Sequence, residues 1–478
     1  MGLTALVLGG MALSSAVGGS VVVHAHPLLT PGPLVFDGVT VVDVEHGRLI
    51  QGQRVVIVGN RIRTVGSVRT VRMPARARVV DARGKYLIPG LWDMHTHSMR
   101  QTNLFYPLFI ANGVTGIRDA GSSVPLDTLI LWRREILAGT RVGPPRQILS
   151  GQSIAGPIPG CQRSRLKESS QNCIADSADA RHYVDSLKAA GADMIKPRHV
   201  GKAMYFVIAA EARRLGIPFG GHAERVTAIE ASDSGASIVD HMAAVISSGQ
   251  LGLPCYVGEK GVELTGIEDL EHPGEFASNS AIVGTKVSGE PCRLMEERFR
   301  HNGTWFMQNY SPSDRKAYAR LPELTSAFWA GSLIHGNWLH DSASSGTPDT
   351  LHRNRQHIGL PILAGTDVGT GGIAEELPGF SLHWELANYV AVWMTPLEAL
   401  QSATLNPAKL LHATDSLGTV TPGKLADIVL LDANPLEDIT NTTTIRAVVA
   451  NGRYFDRAAL DQLLVEVRTE AKQTKQAP

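Results

Sequence analysis

The sequence predicts an α/β protein in which a (β/α)8 TIM barrel is joined to a small β-sandwich built from both ends of the mature chain. From Leu87 onward, short apolar β runs alternate with longer helical stretches, which indicates parallel strands. Stretches of β character flank this region on both sides. With 478 residues, 43% of them hydrophobic, the chain has room for one large domain and a smaller companion.

The charge balance argues against two classes of partner. The chain has 45 basic and 45 acidic residues and a formal net charge of +0, with no block of like charge. Nucleic acid and anionic membranes are therefore not expected as partners. We expect a small-molecule substrate, and the sequence leaves a homo-oligomer open.

The N-terminal segment resembles an export signal. Residues 3–23 are apolar or small and carry no charge, and Val23-His24-Ala25 fits a small-residue cleavage site. We therefore expect residues 1–25 to be a signal peptide without the usual basic leader, and the mature protein to be periplasmic or secreted. The alternative is a membrane anchor, because the segment is nearly long enough to span a bilayer. Its Gly, Ser and Ala content favours cleavage, after which no stable membrane insertion is expected.

The four cysteines are Cys161, Cys173, Cys255 and Cys292. None lies in a Cys-x-x-Cys pair, which argues against a thiolate zinc site. In an exported chain, an even number predicts up to two disulfides. The short separations favour Cys161 with Cys173 and Cys255 with Cys292, while other pairings and four free thiols remain open.

The predicted sandwich has two parts, residues 26–86 and residues 413–457. In the first part, Gly59-Asn60 separates two hydrophobic runs, which is a hairpin signal. In the second, Asn451-Gly452 marks a turn between runs of β character. Residues 458–478 form a C-terminal tail that we expect to be frayed after Glu470.

The barrel is predicted over residues 87–412. A helix is expected over 202–215, where Gly216 provides a stop. Segments 151–177 and 247–291 exceed ordinary βα connections, and they are either lids over a site or decoration. The eight predicted strands are 87–97, 113–119, 146–150, 192–196, 217–222, 237–241, 303–307 and 360–367.

Polar side chains close many of these strands. His95 and His97, spaced by one residue, point to the same face of a strand. A lone strand histidine is more often structural, and a chain with 17 histidines contains chance pairs. A larger set at one mouth of a barrel is harder to explain without metal, because unpartnered burial of each would be costly. The set is His95, His97, Lys196, His222, His241 and Asp367.

Several motifs occur together in a specific order. They are Pro89-Gly90-Leu91-Trp92-Asp93-Met94-His95-Thr96-His97, Ile195-Lys196, Gly221-His222-Ala223, Asp240-His241, Ala364-Gly365-Thr366-Asp367 and residues 419–432. With these motifs the chain resembles the metal-dependent amidohydrolase superfamily, in its imidazolonepropionase-like and Xaa-Pro dipeptidase-like branch. The resemblance covers nearly all of the mature chain.

The resemblance implies two divalent metal ions, with zinc favoured and manganese or cobalt as alternatives. One would be bound by His95, His97 and Asp367, and the other by His222 and His241. Lys196 would be N-carboxylated, because an ammonium group cannot be a ligand, and would bridge the two ions. Family members with a single metal generally lack this lysine.

The implied activity is hydrolysis of an amide bond in a small substrate, a dipeptide or an N-acyl amino acid, by a metal-bridging hydroxide. Asp367 would accept the water proton and pass it to the leaving nitrogen, so Asp367 and Lys196 are the predicted catalytic residues. Cyclic amides, lactones and phosphotriesters are alternative substrates, and a non-catalytic binding protein is a different class. The sequence has no Gly-x-Ser-x-Gly, His-Glu-x-x-His or P-loop motif.

Arg198, His199 and Arg225 are the predicted substrate-binding residues. They follow Lys196 and His222 and match no specificity pattern that we can assign. Either arginine could bind a substrate carboxylate through two parallel hydrogen bonds. The alternative is an ion pair with a nearby acid such as Glu224.

Export and disulfide formation can be tested together. Intact-mass analysis of secreted or periplasmic protein should show the loss of about 25 residues, the length expected of a signal peptide. Alkylation should detect fewer than four thiols. An uncleaved chain with all four cysteines alkylated would contradict the prediction.

Overall fold

The structure, a computed structural model, describes residues 32–98, 102–156, 171–223, 225–240, 256–257, 286–287, 289–308, 360–369, 377–392 and 394–476. The predicted signal peptide and most of segment 247–291 lie outside the described residues. None of the described helices is long and apolar enough to cross a membrane.

The described strands, in chain order, are β1 (Leu34–Asp43), β2 (Arg48–Val58), β3 (Arg61–Ser67), β4 (Arg78–Asp81), β5 (Tyr86–Pro89), β6 (Leu91–Thr96), β7 (Val114–Asp119), β8 (Arg146–Leu149), β9 (Ser153–Ala155), β10 (Gln171–Cys173), β11 (Gly220–His222), β12 (Ile238–Asp240), β13 (Tyr256–Val257), β14 (Lys286–Val287), β15 (Trp305–Gln308), β16 (Ile362–Ala364), β17 (Ile428–Leu431), β18 (Ile445–Ala450) and β19 (Arg453–Asp456).

The described α-helices are α1 (Thr102–Ala111), α2 (Leu126–Ala138), α3 (Ser177–Ala190), α4 (Lys202–Leu215), α5 (Ala228–Asp233), α6 (Gly289–Asn302), α7 (Phe380–Val392), α8 (Pro396–Ser402), α9 (Leu405–Leu410) and α10 (Arg457–Gln476), with a 3₁₀ helix at Ile439–Thr443.

The two ends of the mature chain join in one sheet. Strand β5 pairs in parallel with β1 and antiparallel with β17. One edge of β5 is hydrogen-bonded to the N-terminal strand β1 and the other to the C-terminal strand β17, so both parts of the chain belong to one sheet. The sheet has eight strands in the order β19-β18-β17-β5-β1-β2-β3, and β4 pairs with β1. Within it, β2 and β3 form the predicted hairpin around Gly59, whose φ is 60°. The association of the two ends is as expected, but a second, facing sheet is not defined among the described residues.

Seven of the eight strands predicted for the barrel fall into two parallel sheets, β6-β7-β8 and β11-β12-β15-β16. Isolated bridges connect them: Thr96 with Val368, Ile154 with Pro197, and Ile195 with Phe219. The described strands therefore follow the predicted order around the sheet, although they are not one continuous ladder.

Prolines shorten three of the predicted strands. The fourth, 192–196, is not a strand and has isolated bridges only at Ile195 and at the adjoining Pro197. The fifth begins at Gly220, after Pro218, and the eighth begins at Ile362, after Pro361. Proline has no N–H to donate to a ladder, so pairing starts or stops beside it.

Segment 151–177, predicted to be a lid or decoration, has regular structure at both described ends. Strands β9 and β10 pair in parallel within it. Cys173, the last residue of β10, is disulfide-bonded. Cys161, Cys255 and the side chain of Cys292 lie outside the described residues, so the predicted pairings stay predictions.

The helices follow their capping signals. Helix α4 spans Lys202–Leu215 as predicted and ends at Gly216 with a φ of 61°. The C-terminal tail differs from the prediction, because helix α10 continues past Glu470 to Gln476. Leu463, Val467 and Ala471 are buried at helical spacing, so packing of this apolar face orders a segment that its charged and amide side chains suggested was frayed.

His383, on helix α7, is buried, and both of its ring nitrogens have polar contacts. Its Nε2 donates to Asn112 O at 3.0 Å, because a carbonyl oxygen can only accept, and its Nδ1 lies 2.9 Å from Thr442 Oγ1. Burial lowers the pKa of His383 to about 4. The folded protein therefore holds this imidazole neutral.

A histidine whose pKa is lowered by folding stabilises the protein fully above its ordinary pKa, and that stabilisation is lost as the pH falls toward 4. Between about pH 7.5 and pH 5, His383 should contribute a loss of about 2 kcal/mol in the free energy of unfolding. Urea unfolding of His383→Gln should show a weaker pH dependence by that amount. Thr442→Val keeps the imidazole and should retain the dependence. Equal pH dependence in wild type and His383→Gln would contradict the assignment.

Candidate metal centre

Three predicted ligands come together at the ends of β6 and β16. His95 Nε2 lies 3.2 Å from His97 Nε2. Asp367 Oδ1 lies 3.3 Å from His95 Nε2 and 3.0 Å from His97 Nε2. The three ligand atoms all lie within 4.8 Å of one another. Two imidazoles and a carboxylate converging in this way form a candidate site for a zinc-like ion.

The first and eighth barrel strands bring this group together through their backbones. Asp367 N donates to His95 O at 2.8 Å, and His97 N donates to Val368 O at 2.8 Å. Asp367 has a φ of 63°, a left-handed conformation that is uncommon outside glycine. Such strained residues are concentrated at functional sites, where the surrounding structure holds them.

Glycine makes room beside the histidines. A Cβ on Gly365 would lie 2.9 Å from both the Cβ and the backbone nitrogen of His95. A Cβ on Gly369 would lie 2.2 Å from His97 O. Strand β16 and the residues after it can therefore approach β6 closely only because these positions lack side chains.

A backbone contact orients the imidazole of His97. Its Nδ1 lies 2.6 Å from Gly121 O, and a carbonyl oxygen can only accept, so Nδ1 is the donor. In the neutral ring this leaves a lone pair on Nε2, the nitrogen that faces His95 and Asp367. The tautomer held by Gly121 is the one that can ligate a metal through Nε2.

Asp93 ties the two strands together beneath the ligands. Its Oδ1 accepts from His95 N at 3.2 Å and from Thr366 N at 3.1 Å. Its Oδ2 accepts from Thr366 Oγ1 at 2.7 Å. Burial raises the pKa of Asp93 to about 7, although these hydrogen bonds act in the opposite direction. The carboxyl group thus holds the backbone positions next to His95 and Asp367.

Lys196 is fully buried and pairs with Asp240. Its Nζ donates to Asp240 Oδ2. Arg118 donates to both oxygens of the same carboxylate, at 3.0 Å each. Asp240 Oδ1 also lies 3.6 Å from His95 Nδ1. Lys196 is therefore connected through Asp240 to the first histidine of the candidate site.

Burial and charge act against each other in this cluster. Burial lowers the pKa of Lys196 to about 8, despite the nearby Asp240 carboxylate. Burial alone would raise the pKa of Asp240, but the charges of Arg118 and Lys196 hold it well below its usual range. Asp240 is therefore an anion at neutral pH, and Lys196 loses its proton more readily than an exposed lysine.

The residues predicted to bind the second metal or the substrate are described only in part. His222 ends β11 and is partly exposed, with its ring centroid 6.1 Å from that of His199 at an interplanar angle of 85°. His199 is half-buried with a φ of 54°. Arg198 is half-buried, whereas Arg225 is exposed. His241 and Glu224 lie outside the described residues, so the second predicted metal site and the Glu224 ion pair are not described.

Sequence reasoning missed three polar residues of the centre, Arg118, Asp240 and Asp93. A signal existed for each of them. Arg118 lies at the end of the second predicted strand, and Asp93 and Asp240 each lie inside a quoted motif. Strand-end position, the criterion that selected the histidines, also applies to Arg118 and Asp240.

The donor set of this structure fits a divalent metal. Two Nε2 atoms face each other and a shared carboxylate oxygen at about hydrogen-bond distance. The set contains no thiolate, which suits zinc, manganese or cobalt held by nitrogen and oxygen. The metal requirement predicted for the family is therefore compatible with the described residues.

Comparison with known proteins identifies the family. Residues 86–454 match the amidohydrolase family, so the chain belongs to that family. The predicted family is thus confirmed, and with it the prediction of an enzyme of the amidohydrolase class.

Relatives include several kinds of amidohydrolase. Adenine deaminase of Rubrobacter xylanophilus is 26% identical over 439 residues, which cover 88% of this chain and 58% of that enzyme. The chain thus spans little more than half the length of that relative. Imidazolonepropionase of Streptomyces griseus is 23% identical over 421 residues, which cover 86% of this chain and 92% of that enzyme.

A solved structure shares the fold. A Xaa-Pro dipeptidase with bound methionine in the active site superposes with a TM-score of 0.60 at 20% sequence identity, covering 89% of this chain and 100% of that one. The likeness supports the α/β architecture across most of the chain.

The close approach at Gly365 gives a test of the geometry. Gly365→Ala should displace His95 and weaken zinc binding by at least about tenfold, because ligand position controls affinity. Overpacking should also cost about 1–3 kcal/mol of stability. The measurement is competition for zinc against a chromophoric chelator.

Gly201→Ala is the matched control for this substitution. A Cβ at Gly201 meets no atom within 4 Å, so zinc affinity should be unchanged. Wild-type zinc affinity in Gly365→Ala would show that the described approach of β16 to His95 is wrong.

Proposed function

We propose that this protein is a binuclear metal-dependent hydrolase that cleaves a carbon–nitrogen amide bond in a dipeptide or an N-acyl amino acid. The observation that carries the proposal is the convergence of His95 Nε2, His97 Nε2 and Asp367 Oδ1 in a buried group. A bound metal ion would supply Lewis acidity, which activates water and polarises a carbonyl. His95, His97 and Asp367 would hold one of the two ions.

Asp367 is the member of this group with access to a substrate. Its side chain is 12% exposed, whereas those of His95 and His97 are 0% and 3% exposed. Its Oδ1 faces the histidines, and its carboxylate is suited to accept a proton from water. It would then pass that proton to the leaving nitrogen, as general acid–base catalysis of amide cleavage requires.

Lys196 is proposed to become N-carboxylated and to hold the second ion together with His222 and His241. Burial favours this reaction, because it lowers the pKa of Lys196 to about 8 and so increases the share of neutral amine. The amine nitrogen would bond to carbon dioxide and lose one proton. The resulting carbamate provides two oxygens as ligands, which an ammonium group cannot do.

The substrate class is supported by the relatives. A dipeptidase shares the fold, and imidazolonepropionase and adenine deaminase share the family. Arg198 is proposed to bind a substrate carboxylate, because it lies two residues after Lys196 and is half-buried. Arg225 and His199 complete the proposed substrate-binding set, and Arg225 is accessible at the surface.

We also propose a complete fold and a location for the protein. The two parallel sheets and their isolated bridges support a closed (β/α)8 barrel, and the sheet that joins both chain ends supports the accompanying β-sandwich. We further propose that the mature protein is exported after cleavage of residues 1–25 and acts on small molecules without nucleic acid.

The function is tested by a hydrolysis screen of zinc-loaded protein against dipeptides, N-acyl amino acids, lactones and phosphotriesters. Amide substrates should be cleaved, and chelation of the metal should abolish turnover. An N-acyl amino acid should exceed its C-terminal amide in kcat/KM, and Arg198→Ala should mainly raise KM. Equal kcat/KM for the two would remove the carboxylate-binding role. Turnover of lactones or phosphotriesters alone would replace the proposed substrate class.

Substitution of Lys196 tests the second ion. Lys196→Ala should lose most activity and at least one metal per chain, measured by elemental analysis. Lys196→Arg should fare no better, because guanidinium stays cationic and forms no such carbamate. Small carboxylic acids should partly restore Lys196→Ala by supplying the missing oxygens. Two bound metals with near-normal turnover in Lys196→Ala would contradict the carbamate.

A further inference from the structure

We propose that Asp240 is a positioning residue for the metal centre, and that its carboxylate orients His95 and Lys196 toward the metal ions. The inference rests on the proposed function and deepens it, because it names the group that aligns two ligands of the same site. Asp240 has no role in the chemistry itself.

The carboxylate of Asp240 is rigidly held. Its side chain is fully buried at the end of β12. Arg118 Nη1 donates to Oδ1 and Arg118 Nη2 donates to Oδ2, both at 3.0 Å. Arg118 Nη1 also donates to Met94 O at 3.0 Å, on the strand that carries His95. Two parallel bonds from a planar guanidinium fix the orientation of the carboxylate plane.

Each oxygen of this carboxylate faces a different predicted ligand. Oδ2 accepts from Lys196 Nζ, and Oδ1 lies 3.6 Å from His95 Nδ1. A neutral imidazole carries one proton, and a carboxylate beside Nδ1 favours the proton on that nitrogen. The lone pair is then on Nε2, the atom that faces His97 and Asp367.

The contact with Lys196 is compatible with both forms of that side chain. As an ammonium group, Lys196 is an ion-pair partner of Asp240. A carboxylated lysine keeps one N–H, which can donate to the same oxygen. Arg118 offsets the charge of Asp240 in either form, so the carboxylate keeps its place when the charge of Lys196 changes sign.

The experiment must separate positioning from simple structural support. Asp240→Asn removes the charge with little change in shape. It should lower the affinity for zinc by about 10–100-fold, as loss of a partner behind a metal ligand generally does. Affinity is measured on folded protein by competition with a chelator, and the melting temperature is recorded in parallel.

Asp427→Asn is the matched control. Asp427 is also buried, and it accepts from Arg146 Nε and from Asn451 N, at 2.7 Å each. Its replacement should lower the melting temperature without changing zinc affinity. Wild-type zinc affinity in folded Asp240→Asn would overturn the inference, whatever happens to its stability.

Asp240→Asn leaves Arg118 and Lys196 as buried cations without their carboxylate partner, which destabilises the folded protein. A second pair of variants avoids this problem. Lys196→Met removes one of these cations while Asp240 keeps its bonds from Arg118. Adding Asp240→Asn to Lys196→Met should still weaken zinc binding at the His95 site by at least about tenfold. Equal affinity in the single and double variants would overturn the inference. Failure of the wild type to bind zinc would instead overturn the proposed function.

Discussion

The structure depends on a close approach of three ligand atoms in a buried space. His95 Nε2, His97 Nε2 and Asp367 Oδ1 lie 3.0–3.3 Å apart. Lone pairs at such distances repel unless a proton or a cation lies among them. The arrangement therefore needs support from its surroundings, and a divalent ion held by all three donors would stabilise it.

That support comes from buried polar groups that join strands distant in the sequence. Asp93 links the first strand to Thr366, next to Asp367. Gly121 sets the tautomer of His97, and Arg118 sets the plane of the Asp240 carboxylate. Each contact satisfies a group whose burial alone would be costly. The same contacts orient the ligands, so stability and preorganisation of the site have a common origin.

Much of this arrangement was predictable because local sequence patterns set the positions of strands and turns along the chain. Apolar runs closed by His95, His97 and Asp367 predicted that these residues meet at one end of a sheet, and the structure brings them together. The order of the predicted strands, the hairpin at Gly59 and helix α4 also follow the sequence signals. These features depend on periodicity and turn residues, which act over short distances.

The rest depends on contacts that a linear pattern does not contain. The carboxylate of Asp240 meets a guanidinium 122 residues earlier and an ammonium group 44 residues earlier. Sequence reasoning could place each residue at a strand end but not choose among their pairings. The left-handed backbone of Asp367 likewise depends on the surrounding tertiary structure that holds it.

The most direct measurement is anomalous diffraction from crystals of the zinc-loaded protein, with data collected on both sides of the zinc absorption edge. The account predicts an anomalous peak bounded by His95 Nε2, His97 Nε2 and Asp367 Oδ1. A crystal with full zinc loading and no peak among these three atoms would contradict it.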